Sequence, residues 1–402
     1  MSAQIKSTPA STSSSATNST EVSPAFYRFE DPIINGQLTP LTSVDTTPVN
    51  EKEDSDKLVQ FKDVHAAGGQ MQEGIDVDVP PTELEILQAR VKESCEGRTQ
   101  KVEAWGHRGA SATCPENTMA SFRATCEAGA QGIETDIHIT KDDVLVMFHD
   151  PELGGKTTGT GKIHETPWNG VLEHIRTLEQ PAQPLPRFSE VLALLMEPAN
   201  IHVKLNIDCK VENLPDKLFP MIKEEMFKYE HWETLLAPRI ILGIWHPKFI
   251  LAAKRHLPFI PLYAICMSVA TVRSFFFQHC VGFSIAFPAL YSADGKRFRD
   301  EARAAGKKIT VFTVNDRSEM LECIRWGVRA VITDEPSKMV SLQEQIQQDP
   351  TTLLTPYFQR VLMPWTSPRY YAYKYNAEAD IEMEYLEREG GKFYVVQDVI
   401  NI

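Results

Sequence analysis

Short apolar runs alternate with helical runs between residues 102 and 345, and this alternation limits the possible folds more than any other feature. Eight of the apolar runs are predicted strands, at 102–107, 132–137, 203–210, 239–245, 260–266, 282–287, 308–314 and 330–334. Helical runs lie between most of them, and several end at glycine, a common helix stop. Eight such units over roughly 245 residues are typical of an α/β protein with a (β/α)₈ TIM barrel. A doubly wound sheet is the alternative, but no Gly-x-Gly-x-x-Gly sequence follows the first strand.

The segments on either side of the predicted barrel differ from it in composition. Residues 1–80 are rich in Ser, Thr, Pro, Asp and Glu, and such a composition predicts a disordered tail. Residues 81–101 include a stretch of helical periodicity that should lead into the barrel, residues 102–345. The C-terminal extension, residues 346–402, includes an aromatic-rich stretch at 353–376. We expect it either to pack back on the barrel or to meet a lipid surface, where Trp and Tyr are favoured.

Charge and hydropathy exclude several classes of protein. The net charge of −13 gives the chain as a whole no nucleic-acid-binding signature. Because no run of about 18 apolar residues is present, no transmembrane helix is expected. No signal peptide is expected either, since the first residues lack a basic region followed by an apolar one. Together with scattered cysteines, these features favour a cytoplasmic protein or one bound peripherally to an intracellular membrane.

Acidic side chains on two predicted strands indicate a metal site. Glu134 and Asp136 are two residues apart and therefore point to the same side of their strand. Asp208 and Lys210 likewise share a face of the next predicted strand, near its C-terminal end, where the active sites of barrels lie. Carboxylates inside a barrel are costly unless a cation neutralises them, and Mg²⁺ or Ca²⁺ does so through oxygen ligands. The alternative is neutralisation within the protein, by salt bridges to Lys or Arg.

Two histidines and two basic residues accompany these carboxylates. His107 ends the first predicted strand, and His149 ends a ninth apolar run at 144–150, which we expect to extend the second strand region. A single histidine is more often structural than catalytic, but two at strand ends beside carboxylates favour acid–base chemistry, because imidazole titrates near neutral pH. Arg108 offers a planar, permanently charged donor for phosphate, and Lys210 a second cation. Metal-assisted cleavage of a phosphodiester needs these functions together.

The sequence PENT at 115–118 opens a predicted helix and has two interpretations. Glu116 and Asn117 belong with Thr118 to an N-terminal cap in the first interpretation, which needs no function beyond helix stability. In the second, their side chains contact the metal or the phosphate. The residue types alone do not decide between the two.

These motifs resemble those of the glycerophosphodiester phosphodiesterase family. The segments that carry the resemblance occur in the family's order and spacing across about residues 102–340: HRGAS, PENT, IETDIHITKD, VLVMFHD, LNIDCK, FTVND and VITDEP. The resemblance implies a (β/α)₈ barrel that hydrolyses a glycerol-phosphate diester with a divalent metal. It also implies three sets of roles: acid–base catalysis by His107 and His149, metal binding by Glu134, Asp136 and Asp208, and phosphate contact by Arg108 and Lys210.

Two positions depart from the family pattern. The third carboxylate usually belongs to a glutamate, whereas this chain has Asp208, which keeps the charge on a side chain one methylene shorter. The insertion that follows Asp150 usually carries an Arg-Thr pair, and here Lys156 stands at the arginine position.

Within the family, the second half of the chain is most similar to the fungal phosphatidylglycerol phospholipase C branch, through GIWHPKFILAAK, LYAICMSVATVRSFF and VGFSIAF. This similarity implies cleavage of a glycerophospholipid, phosphatidylglycerol, to diacylglycerol and glycerol phosphate, with peripheral membrane contact. Contact through the phenylalanines at 275–277 is one route, although we expect these to be core. Two alternatives stay open: a soluble enzyme that cleaves deacylated diesters such as glycerophosphocholine, and a catalytically inactive barrel that binds lipid.

Overall fold

Nine strands form one sheet in the computed structural model, which describes residues 81–96, 101–354 and 368–397. The strands are β1 (Glu103–His107), β2 (Gly132–Ile139), β3 (Leu145–Met147), β4 (Lys204–Cys209), β5 (Ile240–Ile244), β6 (Leu262–Cys266), β7 (Gly282–Ala286), β8 (Lys308–Phe312) and β9 (Ala330–Thr333). All of them except β3 pair in parallel, and β1 closes the barrel by pairing with both β2 and β9. The predicted (β/α)₈ barrel is therefore confirmed, and each of its eight predicted strands is present.

The ninth apolar run lies beside the second strand instead of extending it. β3 is antiparallel to β2 and pairs Met147 with Ile137, which corrects the expectation for 144–150. The chain reverses at Asp143, whose φ of 61° is in the left-handed region. The hairpin returns the chain to the level of Asp136, whose carbonyl oxygen accepts from Phe148 N at 3.1 Å. His149 is thereby placed beside the carboxylates of β2.

Helices surround the barrel. Those in the described residues are α1 (Glu83–Glu96), α2 (Met119–Glu127), α3 (Phe188–Met196), α4 (Pro215–Phe227), α5 (Trp232–Leu235), α6 (Ile250–His256), α7 (Val269–Phe275), α8 (Phe287–Tyr291), α9 (Ala293–Ala304), α10 (Arg317–Trp326), α11 (Pro336–Gln348) and α12 (Pro368–Gly390). In these segments, no helix combines the length and the apolar character needed to cross a bilayer. The tail predicted at 1–80, and most of the aromatic-rich stretch at 353–376, lie outside the described residues.

Two apolar layers stabilise the barrel, because alternate residues of each strand face opposite sides. The larger layer lies between strands and helices and includes Ile133 and Ile137 of β2. It also takes in Phe276, with Phe275 and Phe277 packed against it, so these three phenylalanines belong to the core as expected. The smaller layer fills the barrel with a separate group of side chains, namely Trp105, Ile241, Tyr263, Ala330 and Ile332.

Gly132 lets the indole of Trp105 lie across β2. A Cβ at this position would be 2.6 Å from Trp105 Cδ1, and the indole is fully buried. We therefore expect Gly132→Ala to lower the free energy of unfolding by about 2 kcal/mol, because the packed ring has no room to retreat. Gly154→Ala is the control, since its Cβ would meet nothing within 4 Å. Equal unfolding midpoints in denaturant for the two variants would contradict this close packing.

Candidate active site

A cavity of about 620 Å³ opens at the carboxyl ends of the strands, where the active sites of (β/α)₈ barrels lie. Its lining includes all seven residues that the sequence selected, which are His107, Arg108, Glu134, Asp136, His149, Asp208 and Lys210. The structure therefore brings the predicted acid–base, phosphate and metal groups into one space.

The three carboxylates converge because β2 and β4 are neighbours in register. Asp136 pairs with Asp208 across the two parallel strands, and Glu134 precedes them on the same face. One oxygen from each lies within 4.8 Å of the others, and all three side chains are buried. Burial raises the pKa of Glu134 well above its usual range, and repulsion from Asp136 and Asp208 adds to the shift. Three buried oxygen donors that repel one another fit a hard divalent cation such as Mg²⁺ or Ca²⁺.

The internal salt bridges considered as the alternative are also present. Lys210 Nζ lies 2.7 Å from Asp136 Oδ1 and 3.0 Å from Asp208 Oδ2, and Arg108 Nε lies 3.6 Å from Asp136 Oδ2. Burial alone would raise the pKa of Asp136, but Lys210, His149 and Arg108 outweigh it and hold that pKa well below its usual range. Glu134 accepts a hydrogen bond from the Arg108 backbone N–H at 3.0 Å. Lys210 and Arg108 thus offset the negative charges of Asp136 and Asp208, whereas no side-chain cation in the described residues pairs with Glu134.

His107 is held by a carboxylate that the sequence analysis did not select. Its Nδ1 lies 2.6 Å from Asp334 Oδ1, just beyond β9. Asp334 also accepts from Ser111 Oγ (2.9 Å) and Asn315 Nδ2 (2.5 Å). Burial alone would raise the pKa of Asp334. The hydrogen bonds outweigh burial and lower this pKa to about 2, and the bond from His107 contributes most. An ionised carboxylate at Nδ1 fixes the tautomer and leaves Nε2 for proton transfer. The segment VITDEP contained the signal, as a carboxylate directly after the last strand.

His149 has the same kind of partner. Its Nδ1 lies 2.6 Å from Asp150 Oδ1, and the hydrogen bond from His149 is the main reason that the pKa of Asp150 falls well below its usual range. Lys156 Nζ lies 3.0 Å from Asp150 Oδ2 and 2.8 Å from Glu116 Oε1. The two imidazoles of the cavity therefore each have an ionised carboxylate at Nδ1.

The residues of the PENT segment have different partners in the structure, and contact with a metal or a phosphate stays a prediction. Thr118 caps α2 by accepting from Ser121 N at 3.2 Å. Asn117 instead donates from Nδ2 to Asp136 Oδ2 at 2.7 Å, so it orients a carboxylate of the trio. Glu116 Oε2 accepts from Arg108 Nη1 at 2.9 Å and holds the guanidinium beside the cavity. Neither residue therefore belongs to the cap itself.

Arg108 is held in a strained backbone conformation. Its φ is 55°, which is uncommon for a residue with a side chain. The guanidinium Nε is buried and has no hydrogen-bond partner within the described residues. Opposite charges on Asp136 and Glu116 outweigh the cost of burial and raise the pKa of Arg108 still further above neutrality. The cavity therefore contains a permanent cation with an unused donor, which suits a phosphate oxygen.

The sequence profile of the glycerophosphoryl diester phosphodiesterase family matches residues 107–338. The chain belongs to this family. Its fold and cavity agree with that assignment, since the matched segment spans the strands that carry all seven predicted site residues. The protein is accordingly a phosphoric diester hydrolase.

Bacterial members of the family are similar over nearly their whole length. The glycerophosphodiester phosphodiesterase of Caldanaerobacter subterraneus subsp. tengcongensis is 28% identical over 258 residues, which cover 59% of this chain and 95% of that protein. The glycerophosphodiester phosphodiesterase of Bacillus altitudinis is 25% identical over 248 residues, covering 60% and 98%. A phosphodiesterase from Oleispira antarctica, solved in complex with the product sn-glycerol-3-phosphate, has the same fold. Its TM-score is 0.52 at 24% identity, and the match covers 60% of this chain and 96% of that chain.

In this glycerophosphodiester phosphodiesterase, the two residues that depart from the family pattern, Asp208 and Lys156, are each held by neighbouring side chains. The shorter Asp208 accepts from Trp245 Nε1, which lies 3.0 Å from both carboxylate oxygens. This indole comes from the segment after β5 and was not singled out in the sequence. Lys156 does not line the cavity but bridges Glu116 and Asp150, as described above. It therefore stabilises neighbours of Arg108 and His149 instead of contacting the cavity.

The described part of the C-terminal extension packs back on the barrel and adds a wall to the cavity. Tyr375 and Val396 are buried in the main core. Six residues of α12 line the cavity, namely Ile381, Glu382, Glu384, Tyr385, Leu386 and Arg388. They lie beyond the segment 107–338 that the family profile matches, so this wall is an addition to the shared barrel.

Proposed function

We propose that this enzyme hydrolyses glycerophosphodiesters with a divalent cation held by Glu134, Asp136 and Asp208. One observation carries the proposal: the carboxylate trio shares a cavity with two histidines that each have a carboxylate at Nδ1. A cation in the trio would polarise the phosphoryl group and offset its charge. Either Mg²⁺ or Ca²⁺ suits these oxygen donors.

The histidines perform the proton transfers in this proposal. His107 and His149 act through Nε2, since Nδ1 of each is held by its carboxylate. One imidazole takes the proton of the attacking hydroxyl, which belongs to the substrate or to water, and the other gives a proton to the leaving oxygen. Arg108 and Lys210 line the same cavity and hold the phosphate oxygens. With water as the nucleophile, the bond from phosphorus to the headgroup oxygen breaks, and the products are the headgroup alcohol and glycerol phosphate. With a substrate hydroxyl, the same bond breaks to give a cyclic glycerol phosphate, which a water molecule then opens to glycerol phosphate.

Deacylated diesters are the substrates that the geometry supports best. The wall formed by α12 adds buried Leu386 and half-buried Tyr385 to the lining of a cavity of about 620 Å³, which suits a small headgroup better than two acyl chains. The Oleispira antarctica phosphodiesterase was solved with sn-glycerol-3-phosphate, the product that such substrates would give here. Glycerophosphocholine is a representative of the class.

Phosphatidylglycerol phospholipase C activity is the second candidate. The sequence similarity to the fungal branch supports it. Two large apolar side chains support it as well: Ile381 on the cavity lining is 69% exposed, and Leu214, in the segment between β4 and α4, is 67% exposed. Exposed apolar side chains of this kind suit contact with a lipid surface. Peripheral membrane contact therefore belongs to this candidate.

Hydrolysis of both substrate types by the purified protein separates the candidates. We expect release of glycerol phosphate from glycerophosphocholine with Mg²⁺ or Ca²⁺, none with a chelator, and little diacylglycerol from phosphatidylglycerol vesicles. Diacylglycerol release as efficient as the cleavage of the deacylated diester would instead establish the phospholipase C. No cleavage of either would favour the catalytically inactive barrel. His149→Ala protein prepared in parallel controls for contaminating hydrolases.

A further inference from the structure

Outside the carboxylate trio, the cavity lining contains two partly buried carboxylates that no ammonium or guanidinium group pairs with in the described residues. Glu212 follows β4 and Glu382 belongs to α12, and both line the cavity. Glu212 Oε1 accepts from Tyr385 Oη, while its Oε2 is buried without a hydrogen-bond partner. Glu382 is half-buried and, within the same described residues, forms neither a hydrogen bond nor an ion pair. Burial raises the pKa of both groups.

The cations nearby are already engaged. Lys210 contacts Asp136 and Asp208, as described above. Lys248 donates to the Val211 carbonyl. Arg388 pairs with Glu389 at 2.9 Å and lies over the Tyr385 ring. Lys210 acts on Glu212 and Glu382, and Lys248 on Glu212, without an ion pair to either, so a positively charged ligand can still pair directly with both carboxylates.

Aromatic faces accompany the two carboxylates. Trp245 and Phe312 line the same cavity, and their rings are 5.9 Å apart in an edge-to-face arrangement. Carboxylates combined with aromatic faces are the usual environment for an ammonium group, which gains both charge pairing and cation–π attraction. An uncharged polyol gains neither.

The wall that carries Glu382 is fixed to the barrel at its far end. Nδ1 of His246 accepts from Lys248 N, so Nε2 bears the proton and donates to the Gly391 carbonyl at 2.9 Å. Phe393 packs against His246 and Phe275, with ring centroids 4.5 and 5.3 Å away. These contacts hold the end of α12 in place, so the position of Glu382 is part of the fold.

We propose that Glu382 of α12, together with Glu212, is a specificity determinant that selects glycerophosphodiesters with an ammonium-bearing headgroup over those with an uncharged glycerol headgroup. The inference rests on the proposed function, since it assumes that the phosphate binds beside Arg108 and Lys210. The headgroup then points toward α12, where its positive charge meets the two carboxylates. Glu382 lies in the extension that the family profile does not match, whereas Glu212 belongs to the matched barrel.

The test compares Glu382→Gln with the native chain on three substrates: glycerophosphocholine, glycerophosphoethanolamine and glycerophosphoglycerol. We expect kcat/KM to fall about tenfold for the two ammonium substrates, mainly through KM, and to change less than about twofold for the glycerol substrate. Asp380→Asn is the matched control, because it removes one negative charge from an exposed position of α12 away from the cavity. It should leave all three substrates unaffected.

Free choline gives a second readout that does not depend on turnover of a choline substrate. Its inhibition constant against glycerophosphoglycerol should rise about tenfold in Glu382→Gln. An equal fall in kcat/KM for all three substrates, or an unchanged choline constant, would overturn the assignment of Glu382. A native enzyme that cleaves none of the three would instead remove the proposed function, so the two failures are distinguishable.

Discussion

Replacing His107 or His149 with alanine should lower kcat by at least about 100-fold without unfolding the protein, because general acid–base catalysis contributes about that much or more. Both imidazoles line the cavity, and both have Nδ1 held by a carboxylate, so Nε2 is the atom that would transfer the proton in each. The measurement is steady-state hydrolysis of glycerophosphocholine with saturating metal. A loss below tenfold for either variant would remove that histidine from the acid–base pair.

The double variant, with both His107 and His149 replaced by alanine, tests whether the two histidines act together. An acid and a base that act in the same turnover form one unit, so removing the second should cost much less than removing the first. His164→Ala is the control, because this side chain is more than half exposed and its ion pair is with the adjacent Glu165. It should keep native activity. If the fold-decreases in kcat of the two single variants multiplied in the double variant, the two histidines would act independently and not as one acid–base pair.

Strand periodicity and register made the inner part of the site predictable. Glu134 and Asp136 share a face because they are two residues apart, and Asp208 joins them because β4 lies next to β2 in the barrel. The fold class followed from the count of alternating elements. The family resemblance then supplied roles for the histidines and basic residues at the strand ends.

Contacts between distant parts of the chain were not predictable from local pattern. Asp334 meets His107 only after the barrel closes between β9 and β1, across 227 residues of chain. Tyr385 reaches Glu212 across 173 residues. Period and spacing carry no information about such pairings. Nor could they show that Lys210 would contact Asp136 as well as Asp208, since that depends on how far a flexible side chain extends between two strands.

Neutralising Glu134 of the carboxylate trio should change activity and stability in opposite directions. Glu134→Gln should abolish metal-dependent activity, with kcat lowered at least about 1000-fold, because one of the three proposed oxygen ligands loses its charge. The same change should raise the free energy of unfolding of the chelator-treated protein by about 1 kcal/mol, since it removes the least compensated buried charge. Burial and repulsion from Asp136 and Asp208 raise the pKa of Glu134 in the folded protein. A carboxyl with a raised folded-state pKa destabilises the fold when it is ionised, so its replacement by a neutral amide should be stabilising.

Asp136→Asn is the matched control. It neutralises another carboxylate of the trio, but one whose pKa is lowered by neighbouring cations, whereas the pKa of Glu134 is raised. Asp136 pairs with Lys210 at 2.7 Å, and its pKa is held well below its usual range despite burial. The ionised form is therefore the one that stabilises the fold, and this stability is present above the unfolded pKa and lost as pH falls. Both variants should be inactive, and adding Mg²⁺ or Ca²⁺ should raise Tm for the native chain alone. In chelator, Tm should rise for Glu134→Gln and fall for Asp136→Asn. If both variants lowered Tm alike, repulsion within the trio would not be what prepares it for a cation.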